Sequence, residues 1–324
     1  MNASFAIAGF GGRGKIIGRK LHDLGFDVLG VYDSNPAQLV DCPFRTFTEL
    51  DPLLKLNISA LVVASWPQSH ADIAERALGK GVNVFVEKPM GATLEQSQRI
   101  VNAQRKSGRL VIVGYVERVN QAIIKLREIA DLTDAVRSRE IRIGLGPPVL
   151  HTGGVLVDLG SHGIDIAYHL FHAEPKVRSA ILTAEEAGRP EYECMVELEY
   201  GHTRSLVETR RANIRRRRLE VDTDHEYYEV NYTPAALKVG VPPPKLRTRP
   251  QNFEDLEQLS RNMETPLDLP KNEPMKVMLE LLAKSMTTGA VLEPLCNGEE
   301  ALVTAKAIDD ARKIAKWRFI RPQA

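Results

Sequence analysis

A short apolar run, Ser4 to Ala8, meets Gly9-Phe10-Gly11-Gly12-Arg13-Gly14 and then an amphipathic run through Ile16, Ile17 and Leu21. A second apolar run from Val28 to Tyr32 ends at Asp33. No other stretch narrows the possible folds as far. An uninterrupted apolar run suits a parallel strand buried on both faces. Gly-x-Gly-x-x-Gly alone says little, but between a strand and a helix, with an acid ending the next strand, it points to a bound dinucleotide. Each glycine then has a task. Gly9 makes the tight turn, Gly11 lets backbone approach a pyrophosphate, and Gly14 lets the helix lie close to the sheet. Phe10, Gly12 and Arg13 complete the loop, and the helix N-terminus offers N–H groups to the phosphates. Asp33 would accept hydrogen bonds from the adenosine ribose and repel a 2′-phosphate, which favours NAD over NADP.

The alternation continues. Apolar strands are expected at Ala60–Ala64, Asn83–Val86 and Leu110–Val113, with helices at Ser69–Leu78 and Leu94–Lys106 between them. Repeats of this length specify a doubly wound parallel sheet, in which ligands bind beyond the carboxyl ends of the strands. The residues at those ends are candidates for the cofactor side: Ser65, Trp66, Pro67 and His70 after the third strand, and Glu87 and Lys88 after the fourth. Pro67 suits the first turn of a helix. Trp66 serves as a cofactor wall or as core packing, and His70, near a helix start, suits a structural role. Lys88 stands between an apolar strand and Pro89, which holds it extended.

Beyond Gly114 the pattern changes. A helix is expected through Ile123, Ile124, Leu126 and Ile129. Glu191 to Tyr200 alternates with a period near two, as a strand with one wet face does. Thr203–Arg211, Leu219–Asp222 and Glu226–Thr233 extend an antiparallel sheet. Pro234–Pro250 reads as an extended arm, and helices at Phe253–Met263, Pro274–Thr287 and Glu299–Trp317 close the chain. The division expected is a Rossmann domain over 1–118 and an α+β domain with a mainly antiparallel open sheet over 119–324.

Within the second part, the stretch from Thr152 to Ala173 has no Lys, Arg or Glu, yet carries Asp158, His162 and Asp165. A helix so poor in charge is expected to be buried. The spacing i, i+4, i+7 would place the three polar groups on one face. Burying them is costly unless they pair or line a cavity.

Composition excludes more than it assigns. The net charge of +1 over 324 residues gives no footprint for nucleic acid or anionic lipid. The arginines between Arg210 and Arg218 adjoin a glutamate-rich strand and are read as cross-strand pairs, with contact to a substrate phosphate left open. Cys42, Cys194 and Cys296 lie far apart without metal-type spacing, so no metal is expected and a reducing, cytoplasmic setting is. No apolar run approaches the ~20 residues of a membrane span, and Met1 leads into a strand with no signal-peptide pattern.

Taken together, Gly9–Gly14, Glu87-Lys88-Pro89 and Asp158-x-x-x-His162 resemble, in order and spacing, the glucose–fructose oxidoreductase and inositol dehydrogenase family, Gfo/Idh/MocA. The resemblance implies that Lys88 is the active-site lysine, Asp158 the substrate-binding acid and His162 the general base. It also implies a cis Lys88–Pro89 bond and a homodimer or homotetramer formed through the open sheet. Gly114–Asn120, Gly146-Pro147-Pro148 and Asp158–Asp165 are similar to the branch acting at the sugar 3-position of UDP-N-acetylglucosamine. That likeness sets Tyr115, Glu117, Arg118 and Asn120 beside Asp158 and His162 as substrate contacts. The branch usually has Phe at Val119, Pro at Gln121 and Asp at Gly163, so a free aldose or myo-inositol stays open as substrate. The implied chemistry is hydride transfer from a sugar hydroxyl carbon to NAD, with His162 taking the proton and Lys88 stabilising developing charge. A cofactor-binding regulator on the same fold is the alternative of another class. Retention of Lys88, Asp158 and His162 together argues against it.

Overall fold

The structure, a computed structural model, describes residues 3–146, 153–240 and 264–320. In chain order the first elements are β1 (Ser4–Ala8), α1 (Gly12–Asp23), β2 (Asp27–Tyr32), β3 (Thr46–Phe47), α2 (Leu50–Leu54), β4 (Ala60–Val63), α3 (Pro67–Gly79), β5 (Asn83–Val86), α4 (Leu94–Ser107) and β6 (Val111–Val113). Next come α5 (Gln121–Ile129), β7 (Ala135–Leu145), α6 (Ser161–Phe171), β8 (Pro175–Ala184), β9 (Glu193–Tyr200) and β10 (Thr203–Ala212). The chain continues through β11 (Arg216–Thr223), β12 (Tyr227–Tyr232), β13 (Ala235–Gly240), β14 (Glu264–Leu267), α7 (Pro274–Thr288), β15 (Cys296–Asn297), α8 (Gly298–Ile314) and β16 (Lys316–Phe319).

These elements form two compact units. The first has a sheet in the order β15-β6-β5-β4-β1-β2-β3, parallel except for β15. Strand alternation divides its core in two. Ala6, Ala8, Leu61, Val63, Val84 and Val86 pack with Ala71, Ala74 and Leu78 of α3 and Ile100 of α4. Phe5, Ile7, Val62, Phe85 and Ile112 face Ile17 and Leu21 of α1 and Met278, Leu279 and Leu282 of α7. Helices therefore cover both faces of a Rossmann-type sheet.

The second unit holds a sheet in the order β14-β13-β12-β11-β7-β10-β9-β8-β16, with parallel pairs at β7–β10 and β8–β16. Its inner face, with Leu219, Val221, Tyr228 and Val230, packs against Ile123 and Leu126 of α5 and Ile166 and Leu170 of α6. The opposite face carries ion pairs: Arg139 Nη2 lies 2.9 Å from Glu208 Oε2, and Arg178 Nε donates to Glu199 Oε2 at 2.6 Å. Arg210 stands opposite Glu193 in the β9–β10 register, and Arg218 pairs with Glu229. Within the basic run, then, a cross-strand ion pair is seen for Arg218.

Several expectations change. Val119 and Glu273–Asp309 belong to the first unit, whereas the sequence reading gave everything from 119 onward to the second. The cause is long-range: the apolar face of α7 completes one side of the first core, and β15 adds an edge strand beside β6. Strands β7 and β8 have no counterpart in that reading. Glu140 and Arg142 point inward on β7 and pair with each other at 2.9 Å, so hydropathy does not reveal a buried strand there. The expected extended arm is a strand over its first part, β13, paired with β12. The expected final helix ends at Ile314, because Lys316–Phe319 pairs with β8 instead. The rest of the arm and the helix expected at Phe253–Met263 lie outside the described residues.

If α7 is part of the first core, Leu279→Ala, at a fully buried position, should destabilise the protein by about 2–5 kcal/mol in urea unfolding. A change of a few tenths of a kcal/mol would mean that α7 contributes little to that core.

Candidate active site

In the first unit the site begins with backbone. Gly9 follows β1 with φ +95° and donates its N–H to the Tyr32 carbonyl at 2.8 Å. A Cβ on Gly14 would lie 1.9 Å from the Gly9 carbonyl oxygen, so α1 reaches the turn only without a side chain there. Gly11 and Gly12 have nothing within 4 Å of a built Cβ. They border a cavity of about 530 Å³, also lined by Arg13, Asp33, Ser34, Asn35, Ser65 and Trp66. This cavity opens beyond the carboxyl ends of β1 and β4, where the strand order reverses. The first N–H groups of α1 lack intrahelical partners, and Gly11 makes no side-chain cap. A dinucleotide phosphate fits such a cradle.

Asp33 Oδ2 accepts from the Phe10 N–H at 2.7 Å and Oδ1 from the Asn35 N–H at 2.8 Å. The carboxylate is held by the two loops it joins. Sequence reasoning missed Tyr32, Ser34, Asn35, Gln38, Ser69 and Arg76 as lining residues. Position directly after Asp33 was an available signal for Ser34 and Asn35, but Arg76 reaches the cavity only through the packing of α3. Its Nη2 lies 2.8 Å from Asp51 Oδ1.

Trp66 is 60% exposed and lines the cavity, so it is not core packing. Pro67 is buried in the first turn of α3. His70 is 1% exposed and absent from the cavity lining. Its Nδ1 lies 3.0 Å from the Pro89 carbonyl oxygen and its Nε2 3.0 Å from that of Ser65. It therefore ties the loop after β4 to the turn after β5, a structural position rather than a cofactor contact. Half-buried Lys88 precedes Pro89 through a cis bond. Glu87 is buried, with Oε2 3.6 Å from Arg13 Nε, and burial raises its pKa.

The residues after β6 are also buried. Tyr115 joins the first core, and Glu117 is 5% exposed. Arg118 Nη1 pairs with Glu300 at 3.0 Å. In the second unit Asn120 caps α5 through the Ala122 N–H at 3.0 Å and donates Nδ2 to the Tyr232 carbonyl at 3.2 Å.

Asp158 and His162 lie in the second unit, but not on one regular helix. A π-helical turn, Leu156–Gly160, precedes α6. Its wider hydrogen bonding breaks the 3.6-residue register on which a common face depends. Asp165 is fully buried, His162 is 8% exposed, and Asp158 pairs with Arg211. Gly163 stands where α6 touches the sheet: a Cβ there would lie 2.8 Å from Glu140 Cγ. The aspartate usual in the similar branch has no room at this position.

A Rossmann-type unit with an open glycine cradle, followed in the chain by an α+β unit carrying an Asp–His turn, defines a class of two-unit oxidoreductase folds. Sequence profiles agree. The profile described as an oxidoreductase family NAD-binding Rossmann fold matches residues 3–115, and that of the C-terminal alpha/beta domain matches residues 149–222. The chain belongs to the Gfo/Idh/MocA oxidoreductase family. It is 29% identical over 185 residues to an inositol 2-dehydrogenase of Paracoccus denitrificans, covering 51% of this chain and 53% of that one. The match thus spans about half the length of that relative. A UDP-N-acetylglucosamine 3-dehydrogenase of Acidithiobacillus ferrooxidans is 24% identical over 217 residues, covering 65% of this chain and 69% of that one. The solved structure of that enzyme has a TM-score of 0.82 at 20% identity, covering 97% and 98% of the two chains. Among the described residues no helix is long and apolar enough to cross a membrane.

Burial lowers the pKa of His70 below its ordinary 6.5, against the opposing pull of its backbone hydrogen bonds. The unfolded chain therefore takes up this proton more readily. The stability is present above the ordinary value and lost as pH falls through the folded one. Between about pH 7 and pH 5 the urea midpoint should fall, and more steeply than in His70→Gln. Equal slopes in the two proteins would show that His70 is not the group responsible.

Proposed function

We propose that this protein is an NAD-dependent dehydrogenase that oxidises a secondary hydroxyl of a sugar or cyclitol. The observation that carries the reading is a family member's chain that has Lys88 in the turn after β5, Asp158 in the π turn before α6 and His162 in the first turn of α6. NAD, when bound, supplies the hydride acceptor. Gly9, Gly11 and Gly12 with the first turn of α1 would hold its pyrophosphate. An ionised carboxylate has about four acceptor positions, and Phe10 and Asn35 occupy one on each oxygen of Asp33. The remainder suit ribose hydroxyls. Arg76, which lines the same cavity, pairs with Asp51 at 2.8 Å.

His162 takes the proton of the reacting hydroxyl, since neutral imidazole is a base suited to neutral pH. Asp158 binds substrate hydroxyls as an acceptor. Lys88 donates to the reacting oxygen and stabilises the negative charge that grows there as the proton leaves. The substrate we favour is a nucleotide sugar oxidised at C3, as UDP-N-acetylglucosamine is by the Acidithiobacillus relative. A second reading, myo-inositol, is favoured by the 29% identity to the Paracoccus enzyme. NAD reduction by purified protein across UDP-sugars, free aldoses and inositols separates them. No reduction with any member of that panel would favour a regulator instead.

His162→Asn and His162→Ala should lower kcat by about 10²–10⁴-fold, the usual contribution of a general base, while NAD affinity hardly moves. Near-normal turnover in a less stable protein would remove His162 from the mechanism. Separately, the unmodified enzyme should have a higher kcat/KM with NAD than with NADP. Asp33→Ser combined with Ser34→Arg should narrow or reverse that preference. A native preference for NADP would show that Asp33 does not select the cofactor.

A further inference from the structure

Arg211 stands in the basic run between Arg210 and Arg218, yet it does not share the outer face with Arg210. Along β10 it has the parity of Val207 and Thr209, both buried on the inner side of the sheet. Its N–H donates to the Tyr192 carbonyl at 2.9 Å. Its Nη1 donates to the Leu145 carbonyl at 2.9 Å, and its Nη2 pairs with Asp158 Oδ2. Gly144 is its register partner on β7, and a Cβ there would lie 2.9 Å from Nη1, so the guanidinium passes over β7 where a side chain is missing. The turn that carries Asp158 is held from its other end as well: buried Glu191 accepts the Leu156 N–H at 3.1 Å.

The side chains of Arg211 and Asp158 are 14% and 16% exposed. An exposed ion pair is worth little, but a largely covered one leaves a stranded charge when either partner is lost. The planar guanidinium serves a carbonyl and a carboxylate together, which an ammonium does less well. We propose that Arg211 is a positioning residue for the reaction: it holds the Asp158 carboxylate in place, and so sets affinity for the hydroxyls that Asp158 binds. This rests on Asp158 being the substrate-binding acid. Arg211 itself acts through that carboxylate.

The test uses the full chain with saturating NAD and with UDP-N-acetylglucosamine, myo-inositol and D-glucose. Kinetics, NAD affinity and melting temperature are measured for wild type, Arg211→Lys, Arg211→Met, Asp158→Asn and the Asp158→Asn/Arg211→Met double variant. Loss of a hydrogen bond to a charged group predicts that Arg211→Met raises the KM for the oxidised sugar by about ten- to a hundredfold. The KM for NAD should stay unchanged, and Arg211→Lys should recover part of the loss. The double variant should be no worse than Asp158→Asn alone, since the two residues act as one unit. Should Arg211→Met fold poorly, the lysine and double variants decide. A wild-type sugar KM in Arg211→Met, a parallel rise in both KM values, or simple additivity in the double variant would overturn the proposal while leaving the dehydrogenase reading intact. Absence of turnover by the wild type on all three compounds would remove both.

Discussion

The first unit depends on the approach of α1 to the turn after β1. With the Gly14 Cα held so close to the Gly9 carbonyl that a Cβ would overlap it, helix and strand share a backbone surface. From that contact follow the free N–H groups of the first helical turn, the open space at Gly11 and Gly12, and the cavity beyond β1 and β4. Asp33 then joins the two loops by accepting from Phe10 and Asn35. A larger residue at Gly14 would move the helix and with it the cradle.

The second unit has the same kind of constraint in different chemistry. Gly163 lets α6 rest on β7, and directly beneath it Glu140 pairs with Arg142 and accepts from Tyr232 Oη at 3.0 Å. Arg142 also lies over the Tyr232 ring, 4.9 Å from its centroid. Buried charge is expensive unless its lone pairs and protons are met, and here carboxylate, guanidinium and phenol meet one another. The network ties β7 to β12 beneath α6, and its satisfied partners keep the buried charges in place. His162 is the neighbour of Gly163 in sequence, so its place is set by the same contact.

Family and fold were legible because their signals are local. Glycines at Gly9, Gly11 and Gly14, apolar runs of four or five residues, and an acid closing β2 each report a backbone requirement that neighbours in sequence must satisfy. Lys88 and the Asp158–His162 pair were legible as candidates because polar chemistry stands against apolar surroundings. Pairing choices were not. Arg210 and Arg211 are adjacent and chemically identical, yet one stands opposite Glu193 and the other reaches Asp158, since strand geometry sends them to opposite faces.

The chain's own order of residues established a Rossmann sheet with a nucleotide cradle and an α+β part, and singled out three candidates for hydride chemistry. Tertiary structure alone decided that α7 and β15 return to the first unit, that Lys316–Phe319 is a strand, and that Asp158 stands in a π turn beside an arginine. The physical reason is range. Turns, caps and apolar periodicity are written over a few residues. An edge that needs a strand, a core face that needs a helix and a carboxylate that needs a cation are met by whatever the fold brings there, 53 residues away for Asp158 and Arg211.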